Sequence, residues 1–239
     1  MGLNGKRIAI LGGTSGIGLA VAQAAAGEGA QVVVASSNSE RLDRALASLP
    51  AGSEGRVVNL QSGPEVAALF EDLGEFDHLV YTAGEALQLA PLKTMDIAAA
   101  RGFFELRYWG ALTAAKAAQG RLRPGGSIVF TSGVAGARPG SGWSVAASIC
   151  SAMEGLTRAL AVELAPIRVN IVSPGVVRTA LWRDMDEAAR EALYASEAAR
   201  LPVGHVAKAS EIAEGYLYLM RQTYATGQVL ALDGGGLLV

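Results

Sequence analysis

The chain has little of what several chemistries require. It holds one cysteine, Cys150, among 239 residues, so no intrachain disulfide forms, as expected in a reducing compartment. It holds only two histidines, His78 and His205, and no His/Cys/Asp/Glu cluster has the spacing of a metal site. It has no excess of positive charge. The net charge of -2, with no basic block or stripe, argues against a nucleic-acid surface and against an anionic membrane surface. No apolar run reads as membrane-spanning, and the opening Met1-Gly2-Leu3-Asn4-Gly5-Lys6-Arg7 does not read as a signal peptide. The expectation is a soluble cytoplasmic protein.

What the chain has is aliphatic side chains, enough for a large core, and a glycine turn near its start. The apolar run Ile8-Ala9-Ile10-Leu11 leads into Gly12-Gly13-Thr14-Ser15-Gly16-Ile17-Gly18, and the run Leu19–Ala26 leads out. This is strand, turn, helix. Glycines at 12, 16 and 18 let the chain reverse tightly and let a phosphate approach bare backbone, with the N–H groups and positive dipole end of the helix aimed at it. Three glycines alone are a weak sign; opening a strand–turn–helix makes them a nucleotide-site expectation.

Strand-like and helix-like runs then alternate. Short Val- and Ile-rich stretches lie at Arg7–Leu11, Gln31–Ala35, Gly55–Val58, His78–Tyr81, Ser127–Thr131, Arg168–Val172 and Val229–Leu232. Helical spacing covers Ser39–Leu49, Pro64–Leu73, Ala98–Gln119, Ala146–Leu164 and Glu211–Met220. Buried parallel strands read as continuous apolar runs, so the pattern predicts an α/β fold. It is one doubly wound Rossmann domain over residues 1–239, with a seven-stranded parallel sheet and helices on both faces. Ligands of such sheets bind beyond the carboxyl ends of the strands, where the strand order reverses.

Four motifs carry a family resemblance: the glycine turn, Thr82-Ala83-Gly84, Arg168-Val169-Asn170-Ile171-Val172-Ser173-Pro174-Gly175, and Thr226-Gly227-Gln228-Val229-Leu230 with Asp233-Gly234-Gly235. In this order and spacing the chain resembles a short-chain dehydrogenase/reductase over its whole length. The resemblance implies a nicotinamide cofactor, hydride transfer to or from a carbonyl, and a homodimer or homotetramer. It places the cofactor on Gly12, Thr14, Ser15, Gly16, Ile17 and Gly18, on Asn59 and Leu60 beside the adenine, on Ala83 and Gly84, and on Pro174, Gly175, Val177 and Thr179. An NAD-preferring member has an acid at the end of the second strand. Here Ser36, Ser37 and Asn38 stand there, with Arg41 one helical turn on. They favour NADP(H), with NAD(H) possible; these serines are also natural helix caps.

At the catalytic positions the chain departs from the family. Counting back from Glu154-Gly155-Leu156-Thr157 places Cys150 at the usual Lys and Ala146 at the usual Tyr. Gly133 falls at the usual Ser and Arg107 at the usual Asn. No tyrosine lies between Tyr108 and Tyr194, so realignment does not recover one. Alanine has no proton to give, and general acid–base help is worth about 10²–10⁴ in rate. Arg107 is the candidate to stabilise a developing alkoxide or to clamp a carboxylate, against a plain ion pair with Glu85 or Glu105. Ser132 is the candidate polariser, against a turn hydroxyl.

Of the remaining groups, Cys150 reads as inert filler, Tyr108 as core and Trp109 as packing between helices or across subunits. Ser144 and Ser148 are candidates to hold a water, His78 reads as surface, and His205 as a candidate pocket residue. Residues 176–209, with Leu181, Trp182, Met185, Leu193, Tyr194, Leu201 and Pro202, read as a lid over an apolar substrate, and Trp143 as its pocket floor. Two functions stay open: an NADP(H)-dependent oxidoreductase with a non-standard site acting on an apolar carbonyl-type small molecule, and a catalytically silent nucleotide-binding scaffold or regulatory subunit.

Overall fold

The computed structural model describes residues 2–85 and 89–239. Its strands are β1 (Arg7–Leu11), β2 (Gln31–Ser36), β3 (Glu54–Val57), β4 (Phe76–Tyr81), β5 (Leu122–Thr131), β6 (Arg168–Pro174), the short β7 (Val177–Arg178) and β8 (Ala207–Lys208), and β9 (Val229–Leu232). Its helices are α1 (Gly16–Gly27), α2 (Ser39–Ala47), α3 (Gly63–Leu73), α4 (Ile97–Phe104), α5 (Ala111–Ala118), α6 (Ser144–Glu163), α7 (Glu187–Arg200) and α8 (Ala209–Arg221). Seven strands form a parallel sheet in the order β3-β2-β1-β4-β5-β6-β9, and β7 and β8 pair separately.

The period-2 alternation of each central strand builds two cores. Ala9, Leu11, Val33, Leu79, Ile128 and Val169 face one side, where Val66 and Phe70 of α3, Ala114 of α5 and Met153 of α6 cover them. Ile8, Ile10, Val32, Val34, Val80 and Val129 face the other, under Val21 of α1, Leu42 of α2 and Tyr216 of α8. Buried on both faces, these strands cannot alternate with polar residues, and that is why they read as unbroken apolar runs.

Three expectations are corrected. The stretch expected as one helix, Ala98–Gln119, is α4 and α5 joined by a π-helical turn at Glu105–Gly110. Tyr81 causes it: its hydroxyl donates to the Leu106 carbonyl at 2.5 Å, and a Cβ at Gly110 would stand 2.5 Å from that hydroxyl. A donor inserted from outside opens the helical ladder locally. Second, α6 is long and apolar enough to span a membrane by length and composition alone. Its Ile149, Met153, Leu156 and Leu160 are instead buried in the core beneath the sheet.

Third, His78 is buried, not on the surface. Strand β4 begins two residues earlier than expected, and the imidazole Nδ1 shares a 2.8 Å hydrogen bond with the Ser127 hydroxyl. Burial, aided by Arg168 and Lys6 and opposed by Asp77, pushes its pKa down from 6.5 to about 4. The unfolded chain therefore binds a proton that the folded one refuses between those values. Stability should fall as pH drops through that window, by about 3 kcal/mol in total. Urea titrations between pH 7 and pH 4 should show this slope and lose it in His78→Asn; an equal slope in the variant would assign it to another group.

Candidate active site

The strand order reverses between β1 and β4, and a cleft of about 480 Å³ opens beyond the carboxyl ends of the strands. The turn after β1 needs its glycines. Gly12 has φ 89° and Gly16 φ 52°, a region L side chains avoid. A Cβ on Gly12 would come 2.5 Å from the Ala83 nitrogen, and one on Gly18 would strike the Gly12 carbonyl and Thr82 Oγ1. Ser15 stands at the N-cap of α1 yet makes no capping bond, so the first N–H groups of the helix stay free for an anion. A dinucleotide pyrophosphate fits this cradle.

At the end of β2, Ser36, Ser37 and Arg41 line the cleft. Asn38 is not among the lining residues; its side chain accepts from Arg41 N at 2.8 Å as the cap of α2. Among the described residues Arg41 has no ion-pair partner, and the cleft's only carboxylate is Glu85, beyond β4. Asn59 and Leu60 line the cleft as expected, and Asn59 Oδ1 already accepts from Gln61 N at 3.0 Å. Ala83, Gly84, Pro174, Gly175, Val177 and Thr179 all line it.

The other end of the cleft brings Gly133, Ala146 and Cys150 together. A Cβ on Gly133 would stand 3.4 Å from Cys150 Sγ, so positions far apart in the chain share one wall. Among the described residues no tyrosine and no lysine lines this cleft. The nearest phenol, Tyr81, gives its proton to Leu106, and burial pushes its pKa up beyond the usual phenol range. Burial also pushes the Cys150 thiol up, against the Ser132 hydrogen bond, so a thiolate nucleophile is disfavoured.

Arg107 projects from the π-helical turn into the cleft. It donates to the Glu85 carbonyl, and its Nε lies 3.4 Å from Glu85 Oε2. Both of those side-chain atoms are buried without a hydrogen-bond partner among the described residues. Desolvation lowers the guanidinium pKa and Glu85 opposes the shift. Gly84 makes the room: a Cβ there would lie 2.6 Å from Arg107 Nη1. Ser132 lines the cleft, but its hydroxyl is engaged with α6, 3.2 Å from both the Cys150 carbonyl and Glu154 Oε1.

A family profile described as "Enoyl-(Acyl carrier protein) reductase" matches residues 12–236. The short-chain dehydrogenase/reductase malC of Malbranchea aurantiaca is 34% identical, over 99% of this chain and 96% of that one. The chain belongs to the short-chain dehydrogenase/reductase family. Among solved structures, the MalC reductase/Diels-Alderase of Malbranchea aurantiaca superposes with a TM-score of 0.92 at 32% identity, covering 99% of this chain and 98% of that one. A small-chain dehydrogenase in complex with NADPH superposes at 0.84 with 33% identity, covering 99% and 100%.

Trp143, Leu181 and Trp182 line the cleft, and Trp182 packs with Tyr194, Met185 and Leu193 in a separate apolar cluster. Leu201 is buried near the chain's last glycines. There the Gly236 carbonyl accepts from Arg138, after β5, at 2.7 Å and from Arg200, at the end of α7, at 3.2 Å. His205 is exposed and bonded to Glu211 at 3.0 Å; it does not line the cleft, because its segment turns outward to cap α8. Ser148 donates to the Ser144 carbonyl at 2.8 Å, and neither serine lines the cleft. Tyr108 packs on the core, while Trp109 is half exposed. Glu85 is the cleft residue the sequence reading underused; its place directly after Thr82-Ala83-Gly84 was the available signal.

Proposed function

We propose that the protein is an NADPH-dependent reductase that acts on an activated carbonyl or imine carbon of an apolar small molecule. The observation that carries this is a cradle that fits a dinucleotide joined, in one cleft, to an end that no tyrosine or lysine lines among the described residues. Bound there, the nicotinamide supplies the hydride. The chain's own residues do the rest. The α1 N–H groups hold the pyrophosphate. Ser36, Ser37 and Arg41 take the 2′-phosphate, with no carboxylate among the described residues that line that end of the cleft. The relative solved with NADPH supports this preference. Arg107 stabilises negative charge developing on the substrate, and Trp143, Leu181 and Trp182 shed water from an apolar substrate. Lacking a phenolic donor, the site suits electrophiles that need little help, such as a carbonyl activated by an electron-withdrawing neighbour. The fold tolerates unusual chemistry: the MalC relative is described as both a reductase and a Diels-Alderase.

The second reading, a catalytically silent nucleotide-binding subunit, draws on the same missing tyrosine. In either case we place the protein in the cytoplasm as a homodimer or homotetramer; half-exposed Trp109 and exposed Val162 give the helical face a self-association would cover.

Calorimetry with NADPH and NADH tests the cofactor reading. NADPH should bind at least tenfold tighter, and Ser36→Asp should weaken NADPH about 30-fold by replacing a hydrogen bond with like-charge repulsion. Equal affinities, or no binding of either, would refute it.

A further inference from the structure

Behind the reaction end lies a second, smaller cavity of about 50 Å³, walled by Tyr81, Thr131, Ser132, Arg107, Cys150 and Met153. It shares Arg107, Ser132 and Cys150 with the main cleft, so it is an alcove of that cleft. At this size it has room for about two to three water molecules, which stay in a cavity only where polar groups hold them. The walls supply those groups. Arg107 brings its guanidinium, whose buried Nε lies 3.4 Å from Glu85 Oε2 and makes no hydrogen bond among the described residues. The Ser132 hydroxyl points its proton toward α6 and keeps its lone pairs for another donor. Thr131 is less available, because its hydroxyl is shared between the Tyr81 carbonyl and Tyr216.

The alcove also has an exit. Ser132 bonds Glu154 at 3.2 Å, and Glu154 pairs with Arg158 at 3.6 Å, whose side chain is 58% exposed. A polar path therefore runs from the alcove through Ser132 and Glu154 to solvent.

We propose that water held in this alcove by Arg107 and Ser132 is the proton donor for carbonyl reduction in this protein, in the place of the missing tyrosine. The inference rests on the reductase reading above. The carbonyl carbon receives a hydride, with its two electrons, from the reduced nicotinamide. The carbonyl oxygen takes a proton from the alcove water. The hydroxide left behind lies against the Arg107 guanidinium, which makes that water the stronger acid by stabilising its anion. It regains a proton from solvent by the Ser132–Glu154 path. Cys150 matters by being short: a longer side chain at that position occupies the space the water needs.

The test uses two probes with NADPH: 9,10-phenanthrenequinone, whose reduced oxygen must be protonated, and N-methyl-3,4-dihydroisoquinolinium, which hydride addition alone renders neutral. Cys150→Leu fills the alcove; Cys150→Val is the milder filler should the first misfold; Cys150→Ser keeps it open. The ratio of quinone to iminium turnover should fall at least tenfold in the filled variants and stay within twofold of wild type in Cys150→Ser. Radiolytic footprinting of the cofactor-free protein gives an independent reading. Met153, 2% exposed, should be oxidised by alcove water in wild type and at least threefold more slowly in Cys150→Leu, with Met185 unaffected. An unchanged ratio, or equal Met153 labelling in wild type and Cys150→Leu, overturns the proposal. Wild-type protein that binds NADPH and reduces neither probe overturns the reductase reading itself, and the alcove donor with it.

Discussion

The triple variant Gly133→Ser/Ala146→Tyr/Cys150→Lys should reduce ordinary ketones about 10²–10⁴-fold faster than the parent protein. The three positions line one cleft, and counting along the sequence expects them where the family carries its polarising serine, its proton-donating tyrosine and the lysine that lowers the phenol's pKa. The backbone is compatible: Gly133 has no positive φ, and a Cβ there makes ordinary contact with Cys150 Sγ at 3.4 Å. The alcove behind Cys150 gives the lysine stem somewhere to lie. The expected gain is the usual worth of a positioned general acid, and single restorations should gain far less, because the groups act as a unit. The measurement is NADPH-dependent reduction of a simple apolar ketone. A triple variant that folds and binds NADPH without any gain would show that the residue register behind this assignment is wrong.

Arg107→Ala should cost both turnover and stability. The substitution strands the Glu85 carboxylate, whose Oε2 is already buried without a hydrogen bond among the described residues. Removing one partner of a buried pair typically costs about 3–5 kcal/mol. Glu85 keeps 35% of its side chain exposed, so a loss of about 2 kcal/mol is the expected figure. Turnover should fall at least a hundredfold through loss of charge stabilisation. The double variant Arg107→Ala/Glu85→Gln separates the two effects: denaturant melts should recover most of the stability while turnover stays lost. Recovery of both would make Arg107 only a counter-ion, and retention of full turnover in Arg107→Ala would remove it from the mechanism.

The parts of this molecule legible in its sequence are those fixed by local rules. Runs such as Ile8–Leu11 and Val32–Ala35 read as strands because burial on both faces removes the polar alternation. The glycine turn reads because Gly12 and Gly16 hold positive φ. What escaped depends on partners distant in the chain. The π-helical turn follows from the Tyr81 hydroxyl reaching Leu106 across 25 positions, and helical periodicity carries no trace of that. His78 was misplaced because β4 starts two residues early, at Phe76, where Asp77 draws the strand end in through Lys6, Arg123 and the Arg7 amide. Gly133, Ala146 and Cys150 share one cleft as counting expects, but the Glu85–Arg107 pair needs the approach of two segments over Gly84.

The Gly236 carbonyl, held at once by Arg138 and Arg200, has a mechanical consequence. It rivets the loop that carries Trp143 to the end of α7, whose Tyr194 packs under Trp182. The two apolar walls at that end of the cleft are therefore linked outside it as well as across it. The Trp143 loop and the end of α7 thus share one anchor, a single carbonyl that two arginines hold.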